Sequence, residues 1–214
     1  MQHKVYRSPL GFRRTVLRLS FFSAMNASTK IAVVSAFLAS ALSANAAIIN
    51  LDLLGKAGAG LLSGNETAII LGTPGSGGEV GAGIAFNDVT LSLTINIAWG
   101  SGNGFLNLSG VATGGHIHGP TASGGAASFN QTAGILIPLD TLTGWNPSAT
   151  NGGFSGSVTL TPTQATDLLA GKFYINVHTG TNSGGEIRGN IVPEPCGIAL
   201  LALGCLGLTR RRRS

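Results

Sequence analysis

Charged side chains are scarce in this 214-residue sequence: they make up 10% of it, against roughly 25% in an ordinary soluble protein. The formal net charge is +5, but ten of the thirteen Lys and Arg residues lie within the first 30 positions or in the terminal run 210–213. Residues 47–192 hold three cations and seven carboxylates, a net charge of −4. This middle segment lacks the basic surface that binds a phosphate backbone, so we predict no nucleic-acid partner.

Cysteine is absent between residues 47 and 192, since Cys196 and Cys205 both lie in the C-terminal apolar stretch. The middle segment therefore has neither a disulfide framework nor a thiolate nucleophile. The sequence also lacks a Gly-x-Ser-x-Gly elbow, a Walker loop and a dinucleotide glycine fingerprint, and its scattered acids form no glycosidase-like pair. These absences predict a non-enzymatic protein with no catalytic residue.

The first 46 residues have the order of a secretory signal. Lys30 precedes the short apolar run 31–42, and Ala44 and Ala46 provide a small-x-small cleavage site. Charge, apolar core and small residues in this order are typical of a signal peptide. We expect a signal peptidase to release a mature chain that begins at or near Ala47, whichever of Met1 and Met25 is the true start.

The last 22 residues, 193–214, have the form of a sorting tail. A Pro-Glu-Pro motif is followed by a short Leu/Ala/Gly segment and then by clustered arginines, which stay cytoplasmic when the segment enters the inner membrane. The residues concerned are Pro193, Glu194 and Pro195 in the motif and Arg210, Arg211, Arg212 and Arg213 in the cluster. The three parts together resemble a PEP-CTERM signal. The resemblance implies processing by an exosortase after transient membrane anchoring, and a place on the surface or in the exopolysaccharide matrix of a Gram-negative bacterium.

Residues 47–192 read as one Gly-rich domain of short strands. Apolar or alternating segments are separated by turn residues, the pattern of strands joined by tight connections. In Val89–Trp99 the odd-numbered apolar positions alternate with Thr, Ser and Asn, which predicts a half-buried antiparallel strand. The predicted strands are Ile48–Leu54, Glu66–Leu71, Val80–Phe86, Val89–Trp99, Phe105–Leu108, Ile135–Leu139, Phe154–Leu160, Phe173–Thr179 and Glu186–Ile191.

One helix is predicted between these strands. Thr161 caps it, Pro162 fits its first turn, Gln164 completes a capping box, and Gly171 ends it beyond Ala170. The strands Phe173–Thr179 and Glu186–Ile191 then form a hairpin. Many strands with a single short helix predict an all-β fold, an antiparallel β-sandwich or barrel.

Three histidines in the middle segment are the candidate ligands. His116 and His118 are two apart and share one face of a strand, and His178 ends another strand. Copper or zinc can use this set, while the alternative is that the imidazoles hydrogen-bond the backbone or Glu186. Glu186 and Arg188 share a strand face, and we interpret them as a salt-bridge and hydrogen-bond network that pins the last hairpin.

Several motifs, in order, resemble a CHRD domain over about residues 49–191. The segments that carry the resemblance are 62–66 (LSGNE), 116–120 (HIHGP), 171–179 (ending NVHT) and 185–189 (GEIRG). The resemblance implies an immunoglobulin-like β-barrel distantly similar to copper–zinc superoxide dismutase, with no general activity attached. We therefore expect a non-enzymatic exported protein without a cofactor. The alternative is a dismutase-like redox protein that holds one copper or zinc ion at His116, His118 and His178.

Overall fold

The structure, a computed structural model, describes residues 47–194. The predicted signal peptide, Pro195, the apolar segment after it and the cluster Arg210–Arg213 lie outside the described residues. Within residues 47–194 no helix is long and apolar enough to span a membrane.

The described residues form an antiparallel sheet of eleven strands. The strands are β1 (Ile48–Gly55), β2 (Gly58–Ala59), β3 (Leu61–Leu62), β4 (Ser76–Asn87), β5 (Ser92–Trp99), β6 (Ala112–His118), β7 (Ile135–Pro138), β8 (Trp145–Asn146), β9 (Gly152–Thr159), β10 (Phe173–Thr179) and β11 (Ile187–Pro193). Their main order is β7-β6-β10-β11-β1-β4-β5-β9-β8, with β2 and β3 added beside β1 and between β11 and β4. The predicted all-β class is confirmed.

The two ends of the sheet approach each other, which gives the fold a barrel-like form. The Ala112 amide at the start of β6 donates to the Pro147 carbonyl just after β8, at 2.8 Å. The Trp145 ring lies so close to Gly115 that a Cβ there would come within 2.2 Å of it. Trp99 is fully buried and its ring centroid is 5.2 Å from that of Trp145. Both tryptophans thus pack in or against the core.

The single α-helix among the described residues, α1 (Pro162–Leu169), follows the predicted signals closely. The Thr161 hydroxyl accepts from the Gln164 amide at 3.2 Å, and the Gln164 side chain accepts from the Thr161 amide at 2.8 Å. Gly171 adopts a positive φ of 69° directly after the helix. The capping box and the glycine stop are confirmed. Both could be predicted because they depend on local chemistry alone.

Two predicted strands are wrong, and both segments are loops. In Glu66–Leu71 the apolar Ile69 is 87% exposed, and the Leu71 amide donates to the side chain of Asn182 rather than to a strand. In Phe105–Leu108 neighbouring amides bond to unrelated partners, Leu106 to the Ser76 hydroxyl and Leu108 to the Ala149 carbonyl. Apolar spacing predicts strands, but no continuous neighbouring strand accepts these two segments.

The strand predicted from Val89 begins later, at Ser92. The Asn87 side chain accepts hydrogen bonds from the Val89 and Thr90 amides and closes a turn there. Leu91 has a positive φ of 54° in the same turn. A side-chain oxygen that bonds the backbone two and three residues on competes with strand pairing, and here the turn prevails.

Strand β10 separates the apolar core from a second, polar layer. Phe173, Ile175 and Val177 are fully buried in the core, while the alternate residues point to the other face. The neighbouring strands β6 and β11 alternate in the same way. We call the result the polar face; it consists of His116, His118, Tyr174, Asn176, His178, Arg188 and Asn190.

Candidate metal centre

The register of β6, β10 and β11 brings the three predicted histidines together. His116 lies opposite Asn176, His118 opposite Tyr174, and His178 opposite Gly114. One ring nitrogen from each histidine can be chosen so that all three lie within 4.8 Å of one another. Strands β10 and β11 pair as the predicted hairpin, and the pairing of β10 with β6 places His178 next to His116.

The closest approach in the cluster is between His116 Nδ1 and His178 Nε2, at 3.0 Å. The ring centroids of these two residues are 4.8 Å apart, and those of His116 and His118 are 5.5 Å apart in an edge-to-face arrangement. Gly114 leaves space for the His116 ring, since a Cβ at that position would meet its Cε1 at 3.1 Å. The three imidazoles therefore face a common volume.

Backbone carbonyls fix the tautomers of two rings. Nδ1 of His118 is 2.9 Å from the Ala133 carbonyl, and Nδ1 of His178 is 2.9 Å from the Ser183 carbonyl. A carbonyl only accepts, so each Nδ1 carries the proton and each neutral ring keeps its lone pair on Nε2. Nε2 of His118 is buried and has no hydrogen-bond partner. Metal-binding histidines are oriented by hydrogen bonds of this kind.

The surroundings of His116 and His118 favour the neutral form of these two imidazoles. Burial lowers the pKa of His116, His178 lowers it further, and Asp140 acts in the opposite direction. Burial is also the main cause that lowers the pKa of His118, while the hydrogen bond to Ala133 and the nearby Asn176 side chain act in the opposite direction. Asn176 therefore lies next to this ring, although neither its Oδ1 nor His118 Nε2 has a hydrogen bond of normal geometry. A neutral ring with a free lone pair is the form that binds a metal ion.

Of the two hydrogen-bond partners considered for the histidines, the backbone and Glu186, the structure shows the backbone. Two rings do bond backbone carbonyls, but none of the three bonds Glu186. Instead, the Glu186 carboxylate accepts from the Ser109 amide and hydroxyl and from the side chains of Thr179 and Asn182, at 2.5–3.1 Å. These donors occupy both oxygens of the carboxylate, so no histidine bonds to it.

Residues 59–191, more than half of the chain, match the CHRD domain family. The chain belongs to this family. No curated protein and no solved structure matches it.

The predicted salt bridge between Glu186 and Arg188 of the CHRD domain is wrong. Arg188 is fully buried and donates instead to the Ser128 and Gln131 carbonyls and to the Asn190 side chain, at 2.8–3.4 Å. Its guanidinium carbon lies 3.6 Å from the centre of the Tyr174 ring. Both residues do hold the last hairpin as predicted, but each through its own hydrogen bonds.

Tyr174 links the histidines of the CHRD domain to this buried cation. The rings of His118 and Tyr174 are stacked at 4.9 Å with an interplanar angle of 4°. Strand order places His118 on one side of Tyr174 and Arg188 on the other. The alternation of polar and apolar residues in Phe173–Thr179 is a sequence signal that could have revealed this second layer.

Buried polar atoms without a partner concentrate around the histidines. Six such atoms occur among residues 47–194, and one of them, Glu79 Oε1, lies on β4. The other five are Glu66 Oε1, His118 Nε2, Asp140 Oδ1, Asn176 Oδ1 and Arg188 Nη1. Buried polar groups in native proteins are nearly always satisfied, so a cluster of exceptions calls for an occupant such as an ion or ordered water.

Glu66 ends the motif 62–66 but was not predicted as a site residue. It lies after β3 and approaches the polar face. Burial raises the pKa of its carboxyl, while the nearby Asn176 amide and the Arg188 guanidinium act in the opposite direction. Gly185 permits this approach, because a Cβ there would lie 2.5 Å from Glu66 Oε1 and 2.6 Å from Asn176 Nδ2. Its φ of 118° is also one that favours glycine.

Proposed function

We propose that this CHRD-domain protein binds one transition-metal ion, zinc or copper, through His116, His118 and His178. The observation that carries the proposal is the convergence of three imidazoles, with the buried Nε2 of His118 left without a partner. Imidazole is a preferred ligand of both ions. Two nitrogens at about 2.0–2.1 Å from one ion lie about 2.8–3.4 Å apart, and His116 Nδ1 and His178 Nε2 are 3.0 Å apart.

The remaining ligand needs only a small movement. The candidate nitrogens lie within 4.8 Å of one another, so any pair wider than about 3.4 Å must close by up to about 1.4 Å when all three bind one ion. Three protein ligands leave a further coordination position open, as in zinc sites that bind water or a small ligand. The neighbouring polar atoms of Glu66, Asn176 and Arg188 suit hydrogen bonds to such a ligand.

Metal binding is tested on the secreted protein, purified without chelator. We expect one equivalent of zinc or copper by elemental analysis, and none after His116→Gln, His118→Gln or His178→Gln. Free zinc at about 100 times Kd should stabilise the fold by about 2.7 kcal/mol. Adding a chelator should remove this gain and return the melting temperature to that of the metal-free protein. Asp167→Ala is the control, because it removes a carboxylate paired with Lys172 and leaves the three imidazoles and their hydrogen-bond partners in place.

Histidines that bind no metal would give a different set of measurements. If the histidines only hydrogen-bond, each His→Gln variant loses about 1–3 kcal/mol of stability, while the wild type contains no stoichiometric metal and chelator leaves its melting temperature unchanged. That outcome would refute metal binding.

We further propose that the protein acts outside the cytoplasm, as a non-enzymatic component of the cell surface or exopolysaccharide matrix. The support is the signal-like segment 1–46 and the Pro-Glu-Pro, apolar and arginine series of 193–214. Cleavage after Ala46 would spare the fold, since β1 begins at Ile48. It would also place the new amino group beside a carboxylate, because the Ala47 nitrogen is 2.9 Å from Asp88 Oδ1.

Export is tested at the N-terminus of the secreted protein. We expect mass-spectrometric sequencing to find Ala47, or a residue next to it, as the first residue, because Ala44-Asn45-Ala46 fits the cleavage rule. Ala46→Arg should block the cleavage, whereas Asn45→Gln, which changes the residue between the two small ones, should not. Secreted protein that retains residues 25–40 would contradict the proposal.

A further inference from the structure

Asp140 lies beside the histidine cluster on the side away from His178. It belongs to the short 3-10 turn Leu139–Thr141, which follows β7. Its Oδ2 is 3.7 Å from Nε2 of His116, and its Oδ1 is buried without a hydrogen-bond partner. Gly114 keeps this approach open, since a Cβ there would lie 3.3 Å from His116 Nε2 and 3.5 Å from Asp140 Oδ2.

The two nitrogens of His116 therefore face different groups. Nε2 faces the Asp140 carboxylate, and Nδ1 faces Nε2 of His178, which carries a lone pair because Nδ1 of His178 donates to a carbonyl. A neutral imidazole has one proton for these two directions. A proton on Nδ1 would bond His178 but turn a lone pair toward the carboxylate. A proton on Nε2 would satisfy Asp140 and leave two lone pairs 3.0 Å apart.

A cation between Nδ1 of His116 and Nε2 of His178 resolves this conflict. It would turn the repulsion between the two lone pairs into two attractive contacts, while Nε2 keeps its proton and directs it toward the carboxylate. Carboxylates that accept from the outer nitrogen of a ligating histidine fix its tautomer and raise its basicity. Asp140 Oδ2 lies 3.7 Å from Nε2, which is longer than a hydrogen bond, so this role requires the carboxylate to close on the ring by about 0.5–1 Å.

We propose that Asp140 is a positioning residue, which holds the proton of His116 on Nε2 so that His116 binds the ion through Nδ1, while His118 and His178 bind through Nε2. The inference rests on the proposed metal binding and deepens it, because it assigns the ligand atom of each ring. It also adds a residue outside the three histidines on which the affinity of the site depends.

The test compares zinc affinity, by competition with a chromophoric chelator, in four forms of the secreted protein. Asp140→Ala should weaken zinc binding about 10–100-fold, the range found for lost outer-shell partners. Asp140→Asn keeps the shape of the turn but not the charge, and should fall between Ala and wild type. Asp167→Ala is the control. It removes a carboxylate of α1 that pairs with Lys172, and it should leave the zinc affinity unchanged. Equal affinities for Asp140→Ala and Asp167→Ala would overturn the proposal.

A second measurement reads the proton directly and would not respond to a merely structural role. In long-range proton–nitrogen NMR spectra of the zinc-loaded wild type, His116 should carry its proton on Nε2; a proton on Nδ1 refutes the assignment. If the wild type takes up no zinc, metal binding fails while the role of Asp140 is still decided by the metal-free spectra. Asp140→Ala should then shift His116 toward the Nδ1–H tautomer, and an unchanged tautomer ratio overturns the inference.

Discussion

Arg188→Met should destabilise the protein by about 3–5 kcal/mol, because the acceptors that now surround the guanidinium would be left buried and unsatisfied. The side chain is fully buried and donates to the carbonyls of Ser128 and Gln131. Those carbonyls belong to the segment that covers the polar face. Methionine fills most of the volume but donates nothing. We also expect the cation–π contact with Tyr174 to be lost.

Urea unfolding at pH 7 measures the effect. Arg188→Lys keeps the charge but not the planar fork, so it should be less destabilising than Arg188→Met. Lys172→Met is the control: it removes a half-buried cation paired with Asp167 at 2.8 Å, and should change stability by less than about 1 kcal/mol. Equal losses for Arg188→Met and Lys172→Met would show that the buried hydrogen bonds contribute nothing specific.

Glu186→Gln should cost about 3–4 kcal/mol, although it alters only one atom of the side chain, because charge-assisted hydrogen bonds are worth about 1.5–3 kcal/mol each. The carboxylate accepts four hydrogen bonds from Ser109, Thr179 and Asn182, two of them at 2.5 and 2.6 Å. The amide nitrogen of glutamine can accept none of these and would confront a donor. Thermal and urea unfolding at pH 7 should both report the loss.

Glu79→Gln is the matched control and should act in the opposite direction. Burial raises the pKa of Glu79 to about 7, with Asp52 and Glu194 contributing in the same sense. From about pH 4.5 to 7 the folded protein holds a proton at Glu79 that the unfolded chain has released, so its contribution to stability falls as the pH rises. At pH 8 we expect glutamine to be more stable by about 1 kcal/mol, a figure reduced for solvent screening. At pH 4 the difference should vanish. A destabilised Glu79→Gln at pH 8 would contradict this account.

Local chemistry in the sequence was enough to predict some parts of the fold. The helix cap at Thr161 and the stop at Gly171 need only their immediate neighbours, and period-two alternation located β10 and placed His116 beside His118 on one strand face. The meeting of His178 with these two followed from the hairpin and the family resemblance.

The remaining features depend on long-range contacts that no local pattern encodes. Asp140 reaches His116 from a turn 24 positions further along the chain, and nothing in its neighbours marks it. Glu186 and Arg188 sit two apart yet bond to separate loops, because sheet register and loop packing decide their partners. Glu66 lies in a segment that was predicted as a strand. The segment is a loop, and it places the Glu66 carboxylate next to the polar face.

The pairing of the first long strand with the last has a consequence for how this domain can be used as a building block. Leu51 of β1 lies opposite Pro193 of β11, and the Glu194 amide donates to the Asn50 carbonyl at 3.2 Å. The chain thus enters and leaves the fold side by side. Domains with neighbouring ends tolerate insertion and circular permutation. We therefore expect residues 47–194 to fold when they are inserted as a unit into a surface loop of an unrelated host protein. The two junctions would lie close together, so the host loop would not have to open.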